Sequence, residues 1–325
     1  MRYIIFYIKF FLKGGYCNNL GKLNFAPTSW IGKSVSIFFE NPGGDAQTIE
    51  LGHEVKIGHF SDLAVGYNNA IRIRDFTTLN THCKIAGDVT IERYCLLSSN
   101  ILISSGAHYA TSNPYLLIRH QDYNALSSKE GRLQHSKPVH IEEDVWIGFG
   151  VFIKQGITIG RGAVVGANSV VLNDIPPYEI HAGSPARKLK NRLDFKPKNI
   201  LSGTSEEDRP YFYRGFKHPL NGTETNPKGL LSFERSSIAI PFLKNEIVLC
   251  KGFLMGTVPI WVNIKIDNID AGKFKLEETF ELRIQITTDQ FLKRETSKYS
   301  FVNFEVPEMG NPGFGIERIA IIDSV

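Results

Sequence analysis

The 325-residue sequence has no apolar run of eighteen residues, the minimum for an ordinary membrane-spanning helix. It has only four cysteines, Cys17, Cys83, Cys95 and Cys250, far apart and without a CxxC pair or a His/Cys cluster at zinc spacing. That scarcity argues against a disulfide framework and against a structural metal, and it points to a reducing compartment. A concentrated basic stripe is missing too. The 37 Lys and Arg set against 33 Asp and Glu leave a dispersed +4, so nucleic acid is not an expected partner. No Gly-x-Ser-x-Gly elbow marks a serine nucleophile, and His53 and His59 lack the four-residue spacing of a zinc-protease helix. What remains, 42% apolar and 22% charged, suits a soluble folded chain long enough for two cores or one repetitive one.

The repetitive core is visible. From Ile141 aliphatic residues fall every sixth position: Ile141, Ile147, Ile153, Ile159, Val165, Val171. Four residues after each comes a small or aliphatic residue: Val145, Val151, Ile157, Ala163, Ser169, Ile175. The same beat runs through Leu79, Ile85, Ile91, Leu97 and Ile103, and faintly through Leu51, Ile57 and Leu63, before slipping register ahead of Ile73. A helix cannot keep every sixth residue on one face, and a simple strand alternates every second. A coil of short strands, each burying one aliphatic side chain and turning a corner six residues on, fits the period. Cys83 and Cys95 then occupy inward slots as core residues. Between Ile103 and Ile141 the beat gives way to a polar loop, a segment length that usually carries function.

These residues resemble the hexapeptide-repeat acyltransferases, and the sugar and antibiotic O-acetyltransferase subgroup in particular. The resemblance covers residues 31–192. Besides the repeat it rests on Val145-Trp146-Ile147-Gly148, on 165–171 (Val-Gly-Ala-Asn-Ser-Val-Val), on Asp174-Ile175-Pro176-Pro177, on Ala182-Gly183-Ser184-Pro185-Ala186-Arg187, and on the loop sequence Ser104-Ser105-Gly106-Ala107-His108. It implies a left-handed parallel β-helix, a homotrimer, and acetyl-CoA as co-substrate in a groove between neighbouring prisms, with direct transfer to a hydroxyl or amine and no metal.

Direct transfer needs a base that takes the acceptor proton, a task suited to imidazole. Of nine histidines, His108 stands where the first array ends and matches the family's base. His120 and His135 share its loop and are placed to touch an acceptor, whereas His53, His59, His82 and His140 lie within coils. Asn80 matches, across a two-residue gap, the family's substrate-contacting Asn; turn stabilisation is the competing role. Trp146 matches a Trp beside the CoA arm and also suits acceptor binding or trimer packing. Ala167 matches a position whose backbone meets pantetheine, and Arg187 and Lys190 match basic positions near the CoA phosphates. The competing role for 187–192 is a solvated helix face. Asn173 departs from the subgroup, which often has Lys there.

The remaining segments divide the chain into an N-terminal piece (1–30), the β-helix (31–192, loop 104–138), a linker (193–236) and an antiparallel β-sandwich of jelly-roll type (237–325). If residues 1–13 are helical, Arg2, Lys9 and Lys13 share a stripe, which suits either a cap on the coil or peripheral contact with a membrane. Alternating strands are expected at 247–253, 258–267, 280–287, 300–306 and 316–322. Tyr211, Tyr213, Phe216 and Trp261 are candidates for exposed aromatics that stack on sugars. Together these readings imply a cytoplasmic enzyme, free or peripheral at the inner membrane, acetylating a hydroxyl of a bacterial surface polysaccharide or its precursor. The alternatives are an N-acetyltransferase of an amino sugar, an antibiotic-inactivating enzyme, and a non-catalytic trimeric carbohydrate-binding protein.

Overall fold

A computed structural model describes the chain except residues 1–9, 41–46, 111–112, 129–130, 132–135, 194–195, 217–229, 242–245, 268, 286–298, 307–312 and 323–325. It separates into two compact units, residues 1–194 and 195–325.

The first unit is a β-helix built from three parallel sheets, here A, B and C, of seven, six and eight strands. The chain visits them in the order C, A, B. One turn runs through Thr78–Leu79 in C, Lys84–Ala86 in A and Val89–Ile91 in B, and returns to C at Leu96–Leu97. Lys84 lies beside Leu102 and Thr78 beside Leu96, partners eighteen residues apart, so three six-residue faces close each turn. The six-residue aliphatics all point inward: Ile85, Ile91, Ile103, Ile141, Ile153 and Ile159 are fully buried. Cys83 and Cys95 fill the second inward slot, as their spacing predicted.

Earlier turns are longer. Trp30 pairs with Lys56 and Lys56 with Thr78, spacings of 26 and 22, and the surplus sits between sheets A and B, at 40–47 and 66–69. That surplus is the physical reason the beat slips before Ile73. The long loop 105–138 leaves at the same A/B edge, since Leu102–Ser104 belongs to sheet A and Val139–Ile141 to sheet B.

The other corners are tight. At the C/A edge Phe60, His82, Asn100 and Asn168 take φ of 56–60°, a left-handed conformation that costs a non-glycine residue about 1–2 kcal/mol. Turn-to-turn hydrogen bonds hold it: the amides of Phe60, His82, Asn100 and Asn168 donate to the carbonyls of Lys33, His59, Thr81 and Phe149 at 2.7–3.1 Å. Gly58 and Gly148 let consecutive corners stack. A Cβ at 58 would come within 2.3 Å of the Asn80 carbonyl carbon, and one at 148 within 2.6 Å of the Ala167 nitrogen.

Of the N-terminal piece, residues 1–9, and with them Arg2 and Lys9 of the expected cationic stripe, lie outside the described residues. Phe10–Leu12 is helical and Phe10 is buried in the coil's core, which supports the capping role for that portion. Among the described residues no helix is long and apolar enough to cross a membrane.

The second unit is antiparallel. One hydrogen-bonded sheet, with the strand pairs 230–241/299–305 and 247–254/279–285 among its members, lines a core containing Val248, Cys250, Ile264, Ile284 and Phe304. The predicted strands appear at Ile247–Leu254, Ile260–Ile266, Thr279–Gln285, Tyr299–Glu305 and Phe314–Ile322. Residues 193–236 are not a plain linker: Ile200–Ser202 pairs with Phe314–Ile322, Arg214–Phe216 pairs with Leu230–Pro241, and Phe212 and Phe216 enter the core. Prolines at 197, 210, 219 and 227 gave that stretch its loop-like composition, but they fall outside these strands. Of the four aromatics proposed as exposed, Tyr211 and Phe216 are buried, Tyr213 is half-buried against Phe301, and only Trp261 faces solvent, with Lys273 over its ring.

Candidate active site

The long loop begins with a closed base. Gly106 bridges to Ser136, the Lys137 amide donates to the Ser105 carbonyl at 2.8 Å, and the Ser105 hydroxyl accepts from the Asp88 amide at 2.7 Å. Beyond it the chain turns through His108 and Tyr109 and then forms the helix Ile118–Leu126. Two adjacent residues of that helix fasten the loop. Gln121, buried, donates to the Leu116 carbonyl and accepts from the Asn113 amide, both at 3.0 Å. Asp122 grips the histidine: one carboxylate oxygen lies 2.5 Å from His108 Nδ1 and the other accepts the Tyr109 amide at 2.6 Å.

This geometry fixes the imidazole. An ionised carboxylate only accepts, so Nδ1 carries the hydrogen and Nε2 keeps its lone pair. The His108 side chain is 82% exposed while that of Asp122 is 17% exposed, so an anchored base presents a free acceptor nitrogen outward. Asp122 was not singled out from sequence. It lies fourteen residues from His108 in a helix without hexapeptide signature, and a carboxylate in the same loop as the candidate base was the one available hint. If His108 acts as a base in acetyl transfer, replacement of Asp122 by Asn should lower kcat about tenfold or more, leave KM for acetyl-CoA near wild type, and leave the melting temperature within a few degrees; steady-state kinetics and calorimetry check this.

The other candidates sit on a different edge. Asn80 and Ala167 occupy the C/A corner, both exposed, and Trp146, about half exposed, lies on the outer face of sheet C two residues before that corner. Asn80 Oδ1 accepts the Thr81 amide at 3.0 Å, so its oxygen stabilises the turn and its amide nitrogen stays available. His108 belongs to the A/B edge, one face away, or roughly 15–20 Å of extended chain. Within one copy Asn80, Trp146 and Ala167 share the C/A side of the coil, spread over three rungs or about 14 Å from Asn80 to Ala167, while the loop with His108 leaves from the A/B edge.

Arg187 and Lys190 lie in the strand Arg187–Asn191, not in a helix. It pairs antiparallel with Glu179–Ala182, and a register shift changes which residues share a face. Simple alternation would put 187 and 190 on opposite sides. With the shift, Arg187 lies opposite Ala182 and Lys190 opposite Ile180, so both face outward from sheet C. The result is a ladder, Trp146, Val164, Ile180, Lys190, each paired with the next. Lys188, opposite His181, instead turns toward Glu179, which also holds His181 at 2.8 Å. Arg192 clamps the strand's end, donating to Asp144 at 2.9 Å and to the Gly162 carbonyl at 3.0 Å. Beneath this clamp burial pushes the Glu143 carboxyl up, opposed by the neighbouring Arg161.

Residues 138–173 match the family of bacterial transferase hexapeptides (six repeats). A chloramphenicol acetyltransferase of Morganella morganii is 35% identical over 34% of this chain and 55% of its own. The galactoside O-acetyltransferase of Escherichia coli is 30% identical over 46% of this chain and 63% of its own. Residues 138–173 thus carry the hexapeptide-repeat signature of bacterial transferases. The chain spans about half the length of the first curated relatives it matches. A solved hexapeptide-repeat acetyltransferase of Vibrio cholerae, complexed with acetyl coenzyme A, is 32% identical, covering 44% of this chain and 70% of that one with a TM-score of 0.36.

None of the four cysteines is fit for covalent catalysis. Burial pushes the Cys83 thiol up to about 11 and raises those of Cys95 and Cys250 further, while half-buried Cys17 is raised as well. At pH 8 roughly one Cys83 in a thousand is thiolate. In the native protein Cys83, Cys95 and Cys250 should therefore resist a thiol reagent for hours and react at once in denaturant, which leaves a thiol-release assay readable. Among the described residues no group of His, Cys, Asp or Glu is arranged to hold a metal ion. His135 lies outside the described residues, and His120 is exposed on the loop helix.

Proposed function

We propose that the protein transfers the acetyl group of acetyl-CoA to a sugar hydroxyl of a bacterial surface polysaccharide or its precursor. The observation that carries this reading is the His108–Asp122 pair, a base locked in the tautomer that accepts a proton at Nε2. As the acceptor oxygen attacks the thioester carbonyl, its proton passes to Nε2 and Asp122 steadies the imidazolium. The new C–O bond forms, the C–S bond breaks, and the imidazolium returns the proton to the departing sulfur.

The outer face of sheet C suits acetyl-CoA in the order its parts require. Trp146 offers an aromatic wall for the thioester arm, Val164 and Ile180 continue an apolar track, and Lys190 and Arg187 supply cations for phosphate. Ala167, one rung from Trp146 toward Lys190, leaves its backbone open to close approach, and Asn80, two rungs from Trp146 the other way, offers an amide to the acceptor. Because His108 stands on another edge, the complete site is proposed to form where the A/B edge of one copy faces the C/A edge of the next, in a homotrimer. An acceptor screen following free thiol from acetyl-CoA tests the reading. Hydroxyl acceptors should turn over and depend on His108; turnover confined to amines would replace it with N-acetylation, and absence of any CoA turnover would reduce the protein to a binding role. A cytoplasmic location, where acetyl-CoA is found, belongs to the same proposal.

A further inference from the structure

The C/A edge continues past Asn80 toward the start of the coil, and there it changes character. Trp30 shares the sheet C ladder with Trp146, through Lys56, Thr78 and Leu96. Its ring meets that of His59 edge-on at 5.4 Å; His59 lies 6.2 Å from Phe60, and Phe60 stacks on His82 at 5.2 Å and 24°. Phe60 and Trp30 are 52% and 41% exposed, a large aromatic surface for a corner that positive φ values strain. Core packing does not explain it, because the inward slots of these turns are filled by Ile31, Val35, Ile57 and Leu79.

The patch is polar at its margins. The Lys33 amide donates to His59 Nδ1 at 2.6 Å, so the hydrogen of that ring sits on Nε2. The Lys13 ammonium lies 5.2 Å from the Trp30 centroid, Lys56 is Trp30's neighbour on the ladder, and Lys33 is exposed at the corner. The sheet C ladder itself carries no carboxylate. Aromatic faces beside fixed donors suit pyranose rings, whose C–H faces are apolar and whose edges bear hydroxyls. Lys13, Lys33 and Lys56 outnumber the nearby exposed carboxylates of Glu54 and Asp62, a balance that suits sugars bearing carboxylates. Successive turns rise by about 4.8 Å, close to the length of one sugar residue, so the rungs of Asn80, Phe60 and Trp30 offer successive places to a chain.

We propose that Trp30, His59, Phe60 and His82 form a distal subsite that holds an acidic oligosaccharide of three or more residues, whose acetylated sugar lies at Asn80. The inference rests on the transferase reading for its direction, since Asn80 marks the reacting end, but the subsite binds sugar whether or not transfer occurs. The acceptor class is therefore an anionic glycan chain rather than a free monosaccharide or a small antibiotic.

The test is binding of the full chain to immobilised oligomers of sialic acid and of galacturonic acid, one to six residues long, with dextran oligosaccharides as the neutral control. At least one acidic series should bind from about three residues upward, more weakly at high salt. Trp30→Ala and Phe60→Ala should each weaken that binding about tenfold or more, while Met255→Ala, at an exposed apolar residue of the second unit, leaves it unchanged. Both aromatic side chains are exposed, and matched melting temperatures confirm that the variants fold. Failure of both acidic series to bind, binding equal to the neutral control, or binding indifferent to both substitutions overturns the proposal. So does a drop in oligomer size with either variant, which would make the patch a contact between copies. Thiol release from acetyl-CoA, measured alongside, keeps the two readings apart. Turnover of a small acceptor without oligosaccharide binding ends the subsite alone, and binding without any turnover ends the transferase reading alone.

Discussion

Substituting Ala for His108 is expected to lower acetyl transfer by about a thousandfold, within the ~10²–10⁴ range that a positioned base contributes. The melting temperature should barely change. The side chain is 82% exposed and its partner is a carboxylate at the loop's own helix, so its removal opens no cavity in the coil. Thiol release at saturating acetyl-CoA gives the rate, and calorimetry the stability. KM for acetyl-CoA should stay within a few-fold, because the ladder from Trp146 to Lys190 lies on sheet C, away from the loop. Turnover within a small factor of wild type would remove His108 from the chemistry and leave the loop as a structural insert.

The second large effect comes from mixing. Ala167→Trp should fill the thioester channel, and because Ala167 is an exposed corner residue the fold should tolerate it. Each variant, His108→Ala or Ala167→Trp, is expected to be nearly inactive alone. Co-expressed in equal amounts, they should recover about a quarter of wild-type activity, because a site drawing one residue from each of two copies finds both intact with that frequency in a randomly assembled ring. A site contained within one chain would recover nothing, since every chain carries one of the two defects. The outcome thus separates a shared site from a private one without a structure of the assembly.

The coil was legible in the sequence because burial imposes one rule on every turn: the inward residue of each short strand must be aliphatic, whatever the outer face does. Ile85, Ile103 and Ile153 obey it in sheet A, and Ile91, Ile141 and Ile159 in sheet B. Insertions at 40–47 and 66–69 weakened the beat exactly where the turns lengthen, without weakening the burial itself. The site was less legible. His108, Asn80, Trp146 and Ala167 came from matching motifs, but motifs do not say which edge a residue occupies, and the structure puts His108 on a different edge from the rest. Asp122 left no periodic trace, because an inserted helix answers to its own contacts and not to the six-residue beat. Arg187 and Lys190 share a face only through the shift between Ile180 and His181, a local offset that no count of residues shows. The stretch 193–236 was hidden by its prolines, and its buried partners, Phe212 and Phe216, meet core residues far along the chain.

A stack of turns bound only to their neighbours comes apart from its ends before its middle. The loop bearing His108 leaves from an interior turn, covered above and below by further strands, whereas Lys190 and Arg187 ride on the terminal hairpin. On the proposed transferase reading, warming should accordingly loosen the hold on the phosphate end of the donor first, while the imidazole is still in place.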